Sequence, residues 1–360
     1  MDIDDTPIFK LEELEAHLQD LVKSPDTPID TKLFDAVELQ LTEYNISPLI
    51  PKLLPTITQI LHTTQQDPTV LASLSVKLLQ PITFPQALQL ASEDALILAL
   101  RSPIPAANIL AITIIQKATK ISADVANLSG MRGVVENYLR TWLSSPHVGV
   151  GEKATQVLGE LLDVDSVREL THITNGVGNM DIDAQRPPGQ GALWRRIFQD
   201  VEIYEILFSL CSLKTVGKGD GQLDEKQKTL AQARLLRILP HLVTVGFDYL
   251  ARPTLSQVDM EYISSQGDGK LGLLYFAAME MVDKEDLLMH MTLTIFFLEL
   301  LEALSTVEWL FGPRQTYVAE MIRKAMESDV ELRQSIEGVT LSPESTSQTK
   351  ELINSLKLLS

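Results

Sequence analysis

The chain of 360 residues carries 48 acidic and 30 basic side chains, a net charge of −18, and 45% of its residues are hydrophobic. Such a length fits two or three domains or one repeat array, and the apolar content excludes disorder throughout. The negative surplus repels nucleic-acid phosphates and favours basic partners, so direct nucleic-acid binding is not expected.

Fifty-seven leucines against 18 glycines and 18 prolines point to an all-α class. The first 50 residues hold 12 acidic and 3 basic side chains and form an acidic amino-terminal surface. Met1-Asp2-Ile3-Asp4-Asp5 lacks the basic and then apolar regions of a signal peptide, and the single cysteine, Cys211, allows no internal disulfide. The compartment expected is cytoplasmic, with the nucleus also open. The glycosylation-type triplets at Asn45 and Asn127 are read as chance on the same ground.

Residues 50–62 and 70–79 have helical patterning and flank Gln65-Gln66-Asp67-Pro68. Residues 94–100 read as a helix, Ser102-Pro103-Ile104-Pro105 as a turn and 106–121 as a second helix. In 131–143 the apolar positions Met131, Val134, Val135, Tyr138, Leu139, Trp142 and Leu143 follow the i, i+3, i+4, i+7 template. After Ser144-Ser145-Pro146-His147 the same spacing returns at Ala154, Val157, Leu158, Leu161 and Leu162. Pro68, Pro105 and Pro146 thus stand before the second helix of successive pairs, where a missing N–H costs little. This recurrence at roughly forty residues, with two helices per unit, predicts a curved α-solenoid of HEAT- or armadillo-like hairpins.

Residues 175–191 have the Gly, Pro and Asn density of a loop. Helical patterns resume at 201–213, 225–245, 271–282, 284–304 and 315–336, broken at Gly217-Lys218-Gly219-Asp220-Gly221 and Gly267-Asp268-Gly269. The predicted organisation is residues 1–170 and 193–337 as two sets of repeats, 171–192 as a linker, and 338–360 as a polar stretch with a short helix on Leu352, Leu356 and Leu359. Residues 287–304 are apolar enough to imitate a membrane span, but His290, Glu299 and Glu302 favour a helix packed between other helices. No membrane partner is expected.

No motif predicts chemistry. Gly267-Asp268-Gly269-Lys270-Leu271-Gly272 has the letters of a dinucleotide fingerprint without a preceding strand, and the 217–221 loop lacks the Gly-Lys-Ser/Thr ending of a phosphate loop. His17, His62, His147, His172, His241 and His290 are scattered, and Asp181-Ile182-Asp183 starts no calcium loop. Cys211 follows the apolar run Ile206-Leu207-Phe208-Ser209-Leu210 and reads as a core residue. No catalytic residue, cofactor or metal is expected, and helical repeats serve more naturally as a surface for another protein.

Three stretches carry a family resemblance: Ser145-Pro146-His147-Val148-Gly149-Val150-Gly151-Glu152-Lys153-Ala154 with Leu158-Gly159-Glu160-Leu161-Leu162; Leu193-Trp194-Arg195-Arg196-Ile197-Phe198; and Met281-Val282-Asp283-Lys284-Glu285-Asp286-Leu287-Leu288-Met289-His290-Met291-Thr292-Leu293. They resemble the fungal branch of the HEAT-repeat proteasome assembly chaperones, known both as a subunit-five-type non-ATPase factor and, in yeasts, as a mismatch-repair protein. The likeness covers roughly residues 50–310, and the Met281–Leu293 run is its most specific part. It implies a C-shaped solenoid that grips the carboxy-terminal domain of an AAA ATPase subunit of the proteasome base on its concave face. Other base subunits would lie nearby, and docking to the core particle would be delayed.

No contact motif transfers residue by residue. The candidates for partner contact are Glu152, Lys153 and Gln156, and Asp286, Met289 and His290, on second helices of their pairs. Met289 is equally a core residue by its spacing with Leu293 and Phe296, and His290 equally a satisfied structural histidine. The rival readings are a general HEAT adaptor for another complex, a DNA-repair factor, against which the charge balance stands, and a hydrolase of unfamiliar type.

Overall fold

The computed structural model describes residues 7–167, 189–214, 223–252, 255–264, 271–343 and 345–358. Among them are nineteen α-helices and no strand. The chain divides into two compact units, residues 1–141 and 142–360.

The first unit holds α1 (Leu11–Lys23), α2 (Thr31–Glu38), α3 (Ile50–Thr63), α4 (Thr69–Leu78), α5 (Phe84–Leu90), α6 (Glu93–Arg101), α7 (Pro105–Gln116), α8 (Ser122–Gly130) and most of α9 (Arg132–Ser144). Leu14, Leu18 and Leu21, each at most 1% exposed, form the buried stripe of α1, which packs on α2 and α3. Burial of each leucine stabilises by roughly 1.5–3 kcal/mol relative to exposure. Further on, α4 packs against α2, α3 and α7, and α6 against α7. Local chemistry sets the helix starts. Asp30 caps α2 and Ser92 caps α6 through side-chain oxygens, and Thr83 with Gln86 makes a capping box on α5. The turn between α6 and α7 is locked from inside: the Asn108 amide, 3% exposed, lies 2.9–3.0 Å from the Ala99, Leu100 and Ser102 carbonyls left over at the end of α6.

The second unit contains α10 (Val148–Asp165), α11 (Ala192–Gln199), α12 (Val201–Ser209), α13 (Glu225–Ala251), α14 (Ser256–Tyr262), α15 (Leu273–Met279), α16 (Leu287–Ser305), α17 (Pro313–Glu327), α18 (Val330–Leu341) and α19 (Ser347–Ser355). Here α10, α13, α16 and α19 pack in series, each on the next. An aromatic layer fills the space beside them: Trp194 stacks on Phe198 and Tyr249 at centroid distances of 5.4 and 5.2 Å, and Phe208 meets Phe276 at 4.7 Å. Each unit therefore has the helix-on-helix stacking of an α-solenoid, as the repeated pattern predicts.

The three prolines stand where the spacing puts them. Pro68 precedes α4, Pro105 opens α7, and Pro146 precedes the cap residue His147 of α10. Other boundaries differ from the sequence reading. Residues 106–121 are not one helix: α7 stops at Gln116, a 3-10 turn covers Lys117–Lys120, and α8 starts at Ser122 after the extended Ile121. Residues 315–336 are two helices, because Asp329 turns its carboxylate onto the Leu332 N–H and starts α18. Of the 338–348 stretch, residues 338–341 complete α18.

Residues 171–188 of the expected linker lie outside the described residues, as do the 217–221 and 267–269 glycine loops, His172, Asp181 and Asp183. The two described edges of the 168–188 stretch nevertheless meet. Gly191 N donates to Asp165 O at 2.9 Å and Gly189 N to Ser166 O at 3.1 Å. The Asp165 carboxylate, 0% exposed, accepts from Ala192 N, Leu193 N and Trp194 N at 3.1, 2.6 and 3.1 Å. The last residue of α10 thus caps the start of α11, where unpaired N–H groups and the helix dipole attract an anion. Burial raises the pKa of this carboxyl, against the N–H groups and the charge of Arg195, which favour the anion.

Candidate functional site

Along α10 the side chains of Val150, Ala154, Val157, Leu158, Leu161 and Leu162 turn inward and are at most 3% exposed. The same helical period leaves Glu152 and Gln156 on the outside and Lys153 half-buried. Glu152 forms an ion pair with Arg237 of α13, and Gln156 donates from Nε2 to Glu160 Oε1 at 2.8 Å. Three turns along from Glu152, Asp163 accepts from His241 Nε2 of α13 at 2.9 Å, a bond that raises the histidine's pKa despite burial. Arg237 and His241 lie four apart on α13 and so face one way.

A buried cation anchors this face. The Arg234 guanidinium, whose pKa burial lowers, donates from Nη1 to Trp142 O and Leu143 O at 2.8 and 3.2 Å and from Nη2 to His147 O at 3.4 Å. It thereby satisfies carbonyls at and beyond the end of α9. Residue 151 must be glycine for this approach, since a Cβ there would stand 2.1 Å from Arg234 Nε.

The second candidate group sits at the start of α16. Asp286 is its N-cap, with Oδ1 accepting from Leu288 N and Met289 N at 2.9 and 3.1 Å. Met289 is 2% exposed and shares the buried face of Leu293, Phe296 and Phe297, so this partner-contact candidate is placed in the core instead of on the surface. His290 Nε2 is 2.7 Å from Asp329 Oδ2, and its Nδ1 is 3.5 Å from Glu331. Lys284 Nζ lies 3.6 Å from the same Asp329 oxygen. Burial opposes ionisation of Asp329, but the Leu332 N–H, His290 and Lys284 together hold its carboxyl below the usual range. His290 therefore ties α16 to the start of α18.

Glu152, Lys153 and Gln156 are brought together on one helix, and Asp286 and His290 on another; α13 packs against both helices. Arg237, Asp163 and His241 complete the first surface and were not singled out in the sequence. Only their i, i+4 spacing could have flagged the α13 pair. Beside Asp286, the first turns of α16 expose Leu287, Leu288 and Met291 by 68%, 71% and 54%.

Reactive groups are held inside. Cys211 is fully buried, and desolvation pushes its thiol well above the ordinary range, so no thiolate nucleophile forms there. Asp259, 0% exposed, accepts from Tyr204 OH at 3.1 Å and from Gly272 N at 2.9 Å, both on Oδ1, while Oδ2 has no partner. Burial pushes this carboxyl up to about 6. It holds the entry to α15, where Gly272 takes a φ of +111° and a Cβ would lie 2.5 Å from Leu250 O. In the first unit a cavity of about 490 Å³ runs among α3 to α7, lined by Leu54, Leu61, Leu90, Leu98 and Ile104; among the described residues Arg101 is its only charged lining residue, with no carboxylate beside it. Among the described residues no three His, Cys, Asp or Glu side chains are grouped to hold a metal ion.

Residues 10–131, which span α1 to α8, match the family described as DNA mismatch repair protein HSM3, N terminal domain. A search of curated proteins found no match. The three stretches that carried the resemblance and all six partner-contact candidates lie carboxy-terminal to the matched segment, so the match is independent of them. Over residues 10–131 the chain is similar to the HSM3 N-terminal domain, a family that the resemblance also named.

Proposed function

We propose that this chain is a non-enzymatic assembly chaperone for the base of the 26S proteasome regulatory particle. It holds the carboxy-terminal domain of one AAA ATPase subunit, close to other base subunits, and delays docking to the core particle. The HSM3 match over residues 10–131 supports this reading together with the family resemblance. The observation that carries it is the start of α16, where large apolar side chains face solvent beside acidic groups while the reactive thiol is buried. Protein interfaces combine such apolar anchors with a polar rim.

The test is to mix the full chain with each of the six proteasomal ATPase carboxy-terminal domains and measure complex formation by gel filtration. Selective binding of one domain is expected, with added salt mainly slowing association. Binding of none would remove the chaperone assignment. Fluorescent tagging is expected to show the chain in the cytoplasm and nucleus.

A second reading follows from the words of the family description, DNA mismatch repair. In that reading the chain acts through a protein partner, because a net charge of −18 opposes contact with DNA. Tight, steeply salt-dependent binding of duplex DNA by the pure chain would restore a direct role.

A further inference from the structure

The helix α16 is more apolar than its packing requires. By length and composition it could cross a membrane, yet only 39% of its most apolar window is buried. Met289, Leu293, Phe296, Phe297, Leu300, Leu301 and Leu304 make up its buried face. On the outside, Leu287, Leu288, Met291 and Ile295 are 68%, 71%, 54% and 51% exposed. Positions 288, 291 and 295 fall on one line of the helix, so these four side chains form a continuous stripe about 12 Å long.

Carboxylates bracket that stripe. Asp283, Glu285 and Asp286 are exposed ahead of it, and Glu299 and Glu302, also exposed, continue the line of Ile295. Acids at a helix start are favoured by the dipole and by capping, as Asp286 illustrates. Glu302 has no such reason to be where it is. It stands in the last turn, where the dipole disfavours an anion and where α16 has no basic residue.

We propose that this stripe is a docking surface for an amphipathic helix with an apolar face of two to three turns and Lys or Arg at both ends. The charge pattern selects this occupant over two others. A second copy of the chain would bring carboxylates against carboxylates in either orientation of paired α16 helices. A bilayer would have to desolvate five acids, or meet them with its own anionic headgroups. The proposal rests on the reading of the chain as a holder of polypeptides but not on which polypeptide it holds.

The test uses the full chain and two synthetic helical peptides with one leucine face, flanked by lysines in one and glutamates in the other, read by fluorescence anisotropy. The lysine peptide is expected to bind about tenfold or more tighter. Replacing the exposed pair, Leu288→Ser with Met291→Ser, lowers that affinity by at least about tenfold. Glu299→Lys with Glu302→Lys erases or inverts the preference between peptides, and circular dichroism confirms that both variants are folded. The proposal is overturned if neither peptide binds, if both bind alike, or if the serine variant binds as well as the parent. It is equally overturned by self-association that the serine variant abolishes, or by stronger binding to phosphatidylcholine or phosphatidylserine vesicles. Failure of all ATPase domains, with the lysine peptide still bound at α16, removes the chaperone reading alone. An ATPase domain that binds parent and serine variant equally, with no peptide bound, removes the stripe alone.

Discussion

The α10–α13 surface and the start of α16 are both exposed, and they solve opposite problems. On the first, charge is answered by charge: Glu152 by Arg237 and Asp163 by His241. On the second, Asp286 and His290 are committed to helix ends, while the leucines and methionine between the acids expose more than half of their surface to solvent. A surface whose groups already satisfy one another gains little by binding, whereas exposed apolar area gains from being covered. Under the proposed reading the first surface holds helices together and the second receives the partner.

The same contrast between satisfied and unsatisfied groups recurs inside the second unit, and there it predicts the largest effects. Asp165 and Asp259 are both fully buried, but Asp165 serves three backbone N–H groups with two oxygens, whereas one oxygen of Asp259 has no partner. Asp165→Ala strands three N–H groups at the start of α11, those of Leu193 and Trp194 buried, and should cost about 3 kcal/mol in chemical denaturation. Asp259→Asn should cost far less at neutral pH, because it removes a charge that burial disfavours. The folded pKa of about 6 lies above the ordinary 3.8. The contribution of Asp259 is therefore fully present below about pH 4 and is lost as pH rises through about 6. Relative to Asp259→Asn, the parent should lose about 2 kcal/mol across that window, and parallel slopes would contradict the assignment.

Smaller effects sharpen the comparison between the two surfaces. Leu288→Ser with Met291→Ser should change folding stability by less than about 0.5 kcal/mol, since both side chains are already in water. Glu152→Gln with Arg237→Gln, taken as a double-mutant cycle, should give a coupling of about 0.2–1 kcal/mol that salt reduces, because both groups are at least half exposed. His241 is the smallest case. Its raised pKa means that its bond to Asp163 stabilises fully below about pH 6.5 and fades as pH rises through the folded value. His241→Gln should remove that slope, worth under about 1 kcal/mol.

Much of the architecture was legible because it rests on local rules. Proline before a second helix and the 3.6-residue period located α3, α4, α6 and α9 to within a few residues, and the start of α13. The apolar pattern of α10 shows only from Ala154 because Gly149 and Gly151 hide its first turns, and the reason for Gly151 is Arg234, more than eighty residues away. The cap of Asp165 on α11 was invisible for the same reason: its partners lie 27 to 29 residues on. On α16 the apolar run was plain, but periodicity alone could not divide it between core and surface, since a helix apolar all round shows no preferred face. Met289 and Met291 differ by two positions and end on opposite sides of that division.

A photo-reactive side chain at position 288, compared with one at position 156 on α10, tests the division most directly when the bound ATPase domain or lysine peptide is irradiated. A crosslink from 288 that greatly exceeds that from 156 is the expected result. Binding without any crosslink from 288, or a dominant crosslink from 156, would contradict it.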